Sequence, residues 1–397
     1  MKTAQRLTQL GTENAFEVLS EVQRLQASGQ TILSFAIGEP DFDTPDNVKH
    51  ACIRAILENH THYSPSAGLP VFREVIAAHI AKSRKITVDK EEVLVTPGGK
   101  PIIYHTLHAL INPGDEVLYP NPGFPIYESV IRFLGGVPIP IPLLEEKNFA
   151  PDLAKLTQLI TPRTKMIILN SPHNPTGGVL TKEDLTAIAD LALRHKLWIL
   201  SDEIYSRIIY EGSFHSIISL PGLKEQTILL DGFSKTYAMT GWRLGYGIMP
   251  RHLVNAVAQL ITNCESCTNT FIQHAGMEAL TGSQDFVKKM VAEFKVRRDL
   301  IVNGLNQLPG FSCQVPSGAF YAFPNVTKAC ENLGFFDAKE LQQYLLHKAG
   351  VATLPRSAFG QKNSNETEEY LRFSYATSQT TIRKGLEKLS KALHERV

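Results

Sequence analysis

Six short apolar runs, separated by stretches with helical periodicity, dominate the sequence between residues 90 and 250. The runs are Val93–Val95, Glu116–Tyr119, Lys165–Leu169, Trp198–Leu200, Thr227–Leu230 and Gly245–Met249. Apolar residues at helical spacing lie between several of them, for example over Lys100–Leu110 and Lys182–His195. Strands that are apolar throughout and alternate with helices are typical of a mostly parallel sheet covered by helices on both faces. The sequence therefore predicts a large α/β domain.

The rest of the chain has a different pattern, which indicates a second and smaller unit. Helices are predicted at 12–28, 253–265, 284–307 and 379–394, an extended arm at 31–45, and short strands near 311–323. Because no obvious linker or low-complexity segment separates these parts, we expect them to pack closely. We predict a large domain over 46–283 and a small α+β domain formed by 1–45 together with 284–397.

Charge and composition argue against several classes of protein. The 40 Lys and Arg residues nearly balance the 39 Asp and Glu residues, so the chain lacks the basic excess of a dedicated nucleic-acid binder. It has no run of 18 apolar residues, and Met1–Gln30 lacks the apolar core of a signal peptide, so we expect no membrane association. The five cysteines, with one C-x-x-C at Cys264 and Cys267, favour a reducing compartment without a structural metal site. We therefore expect a cytoplasmic protein.

Polar and aromatic side chains follow the predicted strands, at the edge where ligands bind in open parallel sheets. Taken singly, each has a structural explanation: a Gly-Gly pair is commonly only a turn, Asn174 before Pro175 forms turns, and Asp202 could cap a helix. Their positions at successive strand ends favour one shared site instead. The residues are Thr96 to Lys100, Pro120 to Phe124, Asn170 to Gly177, Asp202, Glu203, Tyr205, Ser234 to Thr236, and Arg243.

The segment from Ser234 to Gly245 reads Ser-Lys-Thr-Tyr-Ala-Met-Thr-Gly-Trp-Arg-Leu-Gly and resembles the cofactor-lysine motif of class I/II aminotransferases. The resemblance extends over nearly the whole chain, in the same order, and looks closest to the bacterial aspartate aminotransferase-like branch. It implies the fold of the fold-type I pyridoxal-phosphate-dependent transferases. The further matching segments are Gly38 to Phe42, Tyr63, Asn174 to Gly177, Asp202 to Tyr205, and Arg372 to Ala376.

The same resemblance implies pyridoxal 5'-phosphate as cofactor and gives roles to the residues around its ring. Lys235 matches the lysine that holds the cofactor as a Schiff base and serves as the base of the proton shift. Asp202 matches the carboxylate that keeps the ring nitrogen protonated, and Asn174 and Tyr205 match the donors to the ring 3'-oxygen. Phe124 matches the aromatic that stacks on the ring, where aspartate-specific members often carry Trp.

Other matching residues would bind the cofactor phosphate and the substrate. Arg372 matches the residue that pairs with the α-carboxylate, with Gly38 and Asn174 beside it. Tyr63 matches a phosphate ligand supplied by the neighbouring subunit, which implies a homodimer with shared active sites. A looser match gives Thr268 and Asn269 the same role. The phosphate ligands within the chain would be Ser234, Arg243 and the backbone of Gly99 and Lys100.

The implied activity is transfer of the amino group of an α-amino acid to a 2-oxo acid by a ping-pong route. Lys100 resembles a lysine that pairs with a distal carboxylate, which favours aspartate or glutamate as donor. Against this, the segment 121–127 differs from the aspartate-type segment, and a solvent-facing Lys100 is the alternative.

Three other classes of protein are alternatives to an aminotransferase. Pyridoxal-phosphate-dependent Cβ–S lyases, decarboxylases and synthases share the fold and the lysine, so they stay open. A non-catalytic regulator is disfavoured because all the motif positions are filled and no helix-turn-helix segment is appended. A nicotinamide enzyme is disfavoured because no G-x-G-x-x-G opens the first βα unit.

Overall fold

A computed structural model describes residues 3–11 and 14–395 of the chain. The strands are β1 Leu33–Ser34, β2 Val93–Thr96, β3 Glu116–Asn121, β4 Val137–Leu144, β5 Ala150–Pro151, β6 Thr164–Asn170, β7 Trp198–Asp202, β8 Thr227–Gly232, β9 Gly245–Ile248, β10 Tyr321–Ala322, β11 Val351–Ala352, β12 Leu354–Pro355 and β13 Leu371–Ser374.

The α-helices are α1 Asn14–Ala27, α2 Asp46–Leu57, α3 Pro70–Arg84, α4 Lys100–Leu110, α5 Ile126–Phe133, α6 Leu153–Leu159, α7 Lys182–His195, α8 Arg251–Cys264, α9 Thr270–Thr281, α10 Asp285–Leu305, α11 Thr327–Leu333, α12 Ala338–Tyr344 and α13 Gln379–His394. Short 3-10 helices lie at Gln5–Gln9, Lys90–Glu92, Glu145–Lys147, Ile217–Ser219, Lys224–Gln226 and Arg356–Phe359, and a π-helical turn at Leu345–Ala349.

An eight-stranded sheet with the order β2-β9-β8-β7-β6-β3-β4-β5 forms the centre of the large part of the molecule. The neighbours from β8 to β4 are parallel, whereas β9 runs antiparallel to both β2 and β8, and β5 runs antiparallel to β4. All six predicted runs are strands of this sheet, so the predicted mostly parallel architecture is confirmed. Because β9 is antiparallel, its first residue, Gly245, lies at the edge where the parallel strands end.

Helices cover both faces of this sheet, as the apolar strands predict. Alternate residues of β6 show the arrangement: Met166 and Ile168 pack with α4 and α8, whereas Ile167 and Leu169 pack with α7. All four side chains are almost fully buried. Burial on both faces explains why these strands are apolar throughout rather than alternating.

Strand β4 was not predicted, because Pro138, Pro140 and Pro142 interrupt its sequence. Proline has no N–H to donate, so it is normally absent from the interior of a sheet. Here the N–H of Val137 donates to Asp115 O at 2.8 Å, on the β3 side. The prolines occupy the alternate positions, whose N–H groups would point away from β3. On its other side, within the described residues, β4 pairs only with the two-residue β5, so few ladder hydrogen bonds are lost there.

The apolar core of the small part includes α10 to α13 and continues to Tyr205, Ile208 and Tyr210, which follow β7 in the large part. Strands β10, β13 and β12 make an antiparallel sheet there. The N-terminal arm is attached to the small part by a separate two-stranded sheet, in which β1 pairs in parallel with β11. Helix α1 agrees with the predicted helix at 12–28, although residues 12 and 13 lie outside the described residues. The boundaries proposed at 45 and 283 stay predictions.

Within the described ranges, none of the helices is both long and apolar enough to cross a membrane. The same residues contain no group of three or more His, Cys, Asp or Glu arranged to hold a metal ion.

Candidate active site

The ends of the parallel strands, the turn before β9 and the small part of the molecule enclose a cavity of about 410 Å³. It lies at the sheet edge where the sequence places its candidate residues. Of the residues to which the resemblance gives a role, Tyr63, Thr268 and Asn269 do not line it. The candidates that do are Gly38, Gly99, Lys100, Phe124, Asn174, Asp202, Tyr205, Ser234, Lys235, Arg243 and Arg372.

Lys235 follows β8 and projects its amine into this cavity. Its Nζ donates a hydrogen bond to Gly38 O at 2.6 Å, so the N-terminal arm directly contacts the lysine. Gly38 has no room for a side chain, because a Cβ there would lie 2.1 Å from the hydroxyl of Tyr321. This close packing explains why a glycine is needed in the Gly-Glu-Pro-Asp segment.

Asp202 is the last residue of β7, and its buried carboxylate is oriented by two hydrogen bonds. Its Oδ2 accepts from the hydroxyl of Tyr127 at 2.7 Å, and its Oδ1 accepts from the N–H of Ile204 at 3.3 Å. Burial raises the pKa of Asp202 to about 6, although the Tyr127 hydrogen bond acts in the opposite direction. A buried carboxylate of this kind is stabilised by any cationic N–H that pairs with it.

A buried ion network fixes the backbone immediately after Asp202. Arg84 at the end of α3 donates from Nε to Glu203 Oε2 at 2.9 Å and from Nη2 to Asp231 Oδ2 at 3.3 Å. Burial raises the pKa of Asp231 to about 7, which the positive charge of Arg84 opposes. Because Glu203 follows β7 and Asp231 lies on β8, the network ties β7, which ends at Asp202, to β8, which leads to Lys235.

The turn before α4 and the guanidinium of Arg243 form a basic part of the cavity wall. The turn before α4 contains Gly98, whose φ of +95° is in the left-handed region and whose absent Cβ would lie 2.2 Å from Nη2 of Arg243. The guanidinium therefore packs directly on the turn, and its Nη1 donates to Thr240 O at 2.9 Å. With Ser234 and the first residues of α4 beside it, this part suits a phosphate.

Arg372 lies on β13, in the small part of the molecule, and is buried. Its Nη1 donates to Asn174 Oδ1 at 2.9 Å, and its Nη2 donates to Ala36 O. The guanidinium carbon lies 4.5 Å from the ring centre of Tyr321 and 5.0 Å from that of Phe359. The two rings pack against the guanidinium and restrict its position, and its planar fork suits bidentate binding of a carboxylate.

Two tyrosines of the site, Tyr127 and Tyr321, were not predicted from the sequence. Tyr127 lies in the first turn of α5, three residues after Phe124, and their rings make an edge contact with centres 5.8 Å apart. That i, i+3 spacing was the available signal. Tyr321 lines the cavity, and its hydroxyl lies 2.7 Å from that of Tyr205. It belongs to the short-strand region near 311–323, where nothing in the sequence indicates that the strand would return to the active site.

Lys100 lies between the 410 Å³ cavity and a second cavity of about 640 Å³. Its Nζ is 5.3 Å from the ring centre of Phe124. The second cavity is lined on one side by Leu10, Gly11 and Glu17 of the N-terminal segment. Lys100 is therefore close enough to the main cavity to meet a substrate there.

Tyr63 lies outside the cavity and is 89% exposed. The segment carrying it packs on the other segment with a looser match: Ser64 Oγ donates to Thr268 O at 3.4 Å, and Gln273 Nε2 donates to both Ser64 Oγ and Thr268 O at 3.1 and 2.8 Å. Thr268 itself is almost fully buried. The chain thus brings the two segments that carry the candidate ligands of the neighbouring subunit into contact with each other.

Comparison with known proteins gives consistent matches over the whole chain. The family described as aminotransferase class I and II matches residues 30–389. A probable aspartate/prephenate aminotransferase of Aquifex aeolicus is 40% identical over 99% of this chain and 98% of its own length. An aspartate aminotransferase of Geobacillus stearothermophilus is 37% identical over 100% of both chains.

Solved structures give the same result. An aspartate aminotransferase from Rhizobium meliloti superposes with a TM-score of 0.94 at 35% identity, covering 100% of this chain and 99% of the other. The Thermus thermophilus aspartate aminotransferase, solved with maleate, superposes with a TM-score of 0.93 at 35% identity, covering 99% and 100%.

Proposed function

Because the chain belongs to the class I and II aminotransferases and is a transaminase, we propose that pyridoxal 5'-phosphate is its cofactor and that aspartate or glutamate is its amino donor. The predicted family, the fold-type I architecture and the aminotransferase activity are confirmed by the matches over the full chain. A lyase, decarboxylase or synthase on the same fold, left open by the sequence, is not favoured, because the full-length relatives are named as aminotransferases.

The residues around the cavity fit the chemical groups of this cofactor. The cradle of Arg243, Ser234 and the Gly98 turn suits its phosphate, and Lys235 supplies an amine for its aldehyde. Asp202 supplies a buried carboxylate for its ring nitrogen. Because all of these groups line one cavity of about 410 Å³, a single cofactor molecule can meet them together.

Pyridoxal 5'-phosphate, when bound, carries the amino group between the two half-reactions and withdraws electrons from the substrate Cα. We assign to Lys235 both the covalent attachment of the cofactor and, once its Nζ is released, movement of the Cα proton. Asp202 keeps the proton on the ring nitrogen. Tyr205, whose pKa burial raises far above its ordinary value, stays protonated and can donate to the ring oxygen together with Asn174.

The main support for a dicarboxylic amino donor is that one cavity contains two cationic side chains, one for each carboxylate of such a substrate. Arg372, packed against two aromatic rings, is assigned to the α-carboxylate, and Lys100 to the distal carboxylate. Two relatives support this choice: one is named for aspartate, and the Thermus enzyme was solved with maleate, itself a dicarboxylate.

The donor can be tested by following the loss of cofactor absorbance in single half-reactions with aspartate, glutamate, alanine and phenylalanine. We expect aspartate or glutamate to react fastest. Lys100→Ala should slow that reaction at least about tenfold, as loss of a charge-assisted hydrogen bond predicts, and should leave alanine unaffected. Lys182→Ala, which removes an exposed lysine at the start of α7, is the control. Faster reaction of alanine or phenylalanine in the wild type would contradict the proposed donor.

The same panel, run in the reverse direction, should include prephenate as an acceptor. The Aquifex relative is named for both aspartate and prephenate. The 640 Å³ cavity beyond Lys100 offers space for an acceptor larger than oxaloacetate.

We also propose that the protein is a homodimer in which each subunit contributes Tyr63 to the partner's phosphate cradle. Tyr63 is 89% exposed and lies in the loop after α2. On α2 itself, the side chains of Ile53 and Leu57 are 52% and 76% exposed. Val71 on α3 is 50% exposed. Apolar side chains exposed together in this way are typical of an interface.

A subunit-mixing experiment tests the shared site. Chains carrying both Tyr63→Ala and Lys235→Ala are mixed with wild-type chains, and the hybrids are isolated. If Tyr63 acts in trans, the one intact Lys235 of the hybrid faces a cradle without Tyr63, so it should bind cofactor more weakly. Hybrids made with Lys235→Ala alone are the control and should bind it normally. Equal affinity in the two hybrids, or a monomer by sedimentation that keeps its cofactor, would contradict the proposal.

We place the protein in the cytoplasm. The support is that all five cysteines are free, which fits a reducing compartment.

A further inference from the structure

Tyr321 contacts three of the residues assigned to the site. Its hydroxyl lies 2.7 Å from that of Tyr205, its ring centre lies 4.5 Å from the guanidinium carbon of Arg372, and its hydroxyl fills the space that a Cβ of Gly38 would need. The side chain is 1% exposed and lines the 410 Å³ cavity. Its ring packs on the guanidinium of Arg372, whereas its hydroxyl has no chemical role in the proposed function.

The hydrogen bond between the two hydroxyls has a direction that follows from the proposed role of Tyr205. Each phenol has one proton to donate, and each oxygen can accept. Burial raises the pKa of Tyr205 far above its ordinary value, so Tyr205 keeps its proton. If Tyr205 donates its proton to the ring oxygen of the cofactor, it has no proton left for the hydrogen bond between the two hydroxyls. Tyr321 is then the donor of that bond, and the hydroxyl oxygen of Tyr205 is the acceptor.

We propose that Tyr321 is a positioning residue, which donates to the hydroxyl of Tyr205 and thereby aims and strengthens the hydrogen bond from Tyr205 to the cofactor's 3'-oxygen. This inference rests on the proposed cofactor. Hydrogen bonds in a chain polarise one another, so a phenol that accepts a bond becomes a better donor. The negative charge on the ring oxygen is then better stabilised, and the lysine-linked nitrogen of the cofactor binds a proton less tightly.

The consequence is measurable without turnover. The absorbance of the bound cofactor changes with pH as that nitrogen loses its proton. Tyr321→Phe keeps the ring against Arg372 and removes only the hydroxyl. It should raise the pKa of the absorbance change by about 0.5 to 1 pH unit, the size expected for loss of one net hydrogen bond.

The chain offers a matched control in the same apolar core. The hydroxyl of Tyr375 donates to that of Tyr210 at 3.3 Å, both side chains are buried, and neither lines the cavity. Tyr375→Phe deletes a phenol–phenol hydrogen bond in the same way. It should leave the absorbance titration unchanged.

A double-mutant cycle separates action through Tyr205 from a general structural effect. Tyr205→Phe alone should raise the pKa of the absorbance change, and adding Tyr321→Phe to it should cause no further rise. Circular dichroism and thermal melts of each holoenzyme verify folding.

An unchanged titration in Tyr321→Phe would overturn the proposal, as would a shift of equal size with and without the Tyr205 hydroxyl. A wild-type protein that gains no cofactor absorbance at all would instead refute the proposed cofactor, and this inference with it. The two failures are therefore distinguishable.

Discussion

Asp202 should destabilise the cofactor-free protein, and Asp202→Asn should reveal by how much. Burial raises the pKa of this carboxyl from its ordinary 3.8 to about 6. The folded protein therefore binds this proton more tightly than the unfolded chain does. The neutral form of the Asp202 carboxyl therefore stabilises the fold relative to the ionised form. This stabilisation is complete below pH 3.8 and is lost as the pH rises through about 6, once the carboxyl ionises in its buried position.

The expected size follows from the shift of about two pKa units. Above both values the cost of the buried charge is roughly 3 kcal/mol, whereas at pH 4 it is only about 0.5 kcal/mol. The substitution removes the charge, and the amide oxygen it introduces can still accept the hydrogen bond from Tyr127, whereas the amide nitrogen cannot accept the weaker bond from the N–H of Ile204. The cofactor-free variant should therefore be more stable than the wild type at pH 8, by on the order of 2–3 kcal/mol, and nearly equal to it at pH 4.

Urea unfolding of both cofactor-free proteins at pH 4, 6 and 8 measures this difference. Asp190→Asn, which neutralises an exposed carboxylate on α7, is the control, and its difference from wild type should be much smaller. The same Asp202→Asn protein should bind the cofactor more weakly and lose nearly all activity, because an amide cannot hold the ring-nitrogen proton. Equal stability of wild type and variant at pH 8 would refute the reasoning. Stabilisation without loss of cofactor affinity would contradict the role given to Asp202.

Two further predictions concern residues that touch or orient the reacting groups. Arg372→Ala should lower kcat/KM for every α-amino acid by roughly 30-fold or more, since truncating one partner of a buried charge pair costs about 2–5 kcal/mol; better turnover of amines lacking a carboxylate by the wild type would contradict it. Tyr127→Phe removes a hydrogen bond to a charged group, so cofactor affinity should fall by about tenfold or more. Tyr119→Phe, which deletes the bond from Tyr119 to Glu128 at 3.1 Å, should change it little, and equal losses in the two variants would contradict the pairing with Asp202.

The large domain could be predicted from the sequence because its strands are buried on both faces. Continuous apolar runs such as Thr227–Leu230 identify such strands directly. Most of the candidate site residues come immediately after these runs in the sequence. Strand β4 was missed because prolines at alternate positions are typical of loops. Whether they disrupt the hydrogen bonds of the sheet depends on which side of β4 its neighbouring strand lies, and the sequence does not show this. The antiparallel direction of β9 has no signal in its own four residues.

The candidate site was predictable wherever a strand end carries it and not where two distant segments meet. Lys235 and Asp202 follow strands and could be placed at one edge. Tyr321 comes from the small part of the molecule, and its hydrogen bond to Tyr205 spans 116 residues of sequence. Tyr63 remains a prediction, because its assigned partner is another subunit. Such contacts depend on the way in which the two parts of the chain, or two subunits, pack against each other. The local periodicity of the sequence does not determine that packing.

The attachment of the cofactor to Lys235 is the central claim, and chemical trapping tests it most directly. The purified protein is incubated with pyridoxal 5'-phosphate, reduced with borohydride so that the bond to the amine becomes permanent, digested, and mapped by mass spectrometry. We predict one phosphopyridoxyl group per chain, located on Lys235, and no labelling of the active site in Lys235→Ala. A stoichiometric label on another lysine, such as Lys100, or labelling that is unchanged in Lys235→Ala, would contradict the account.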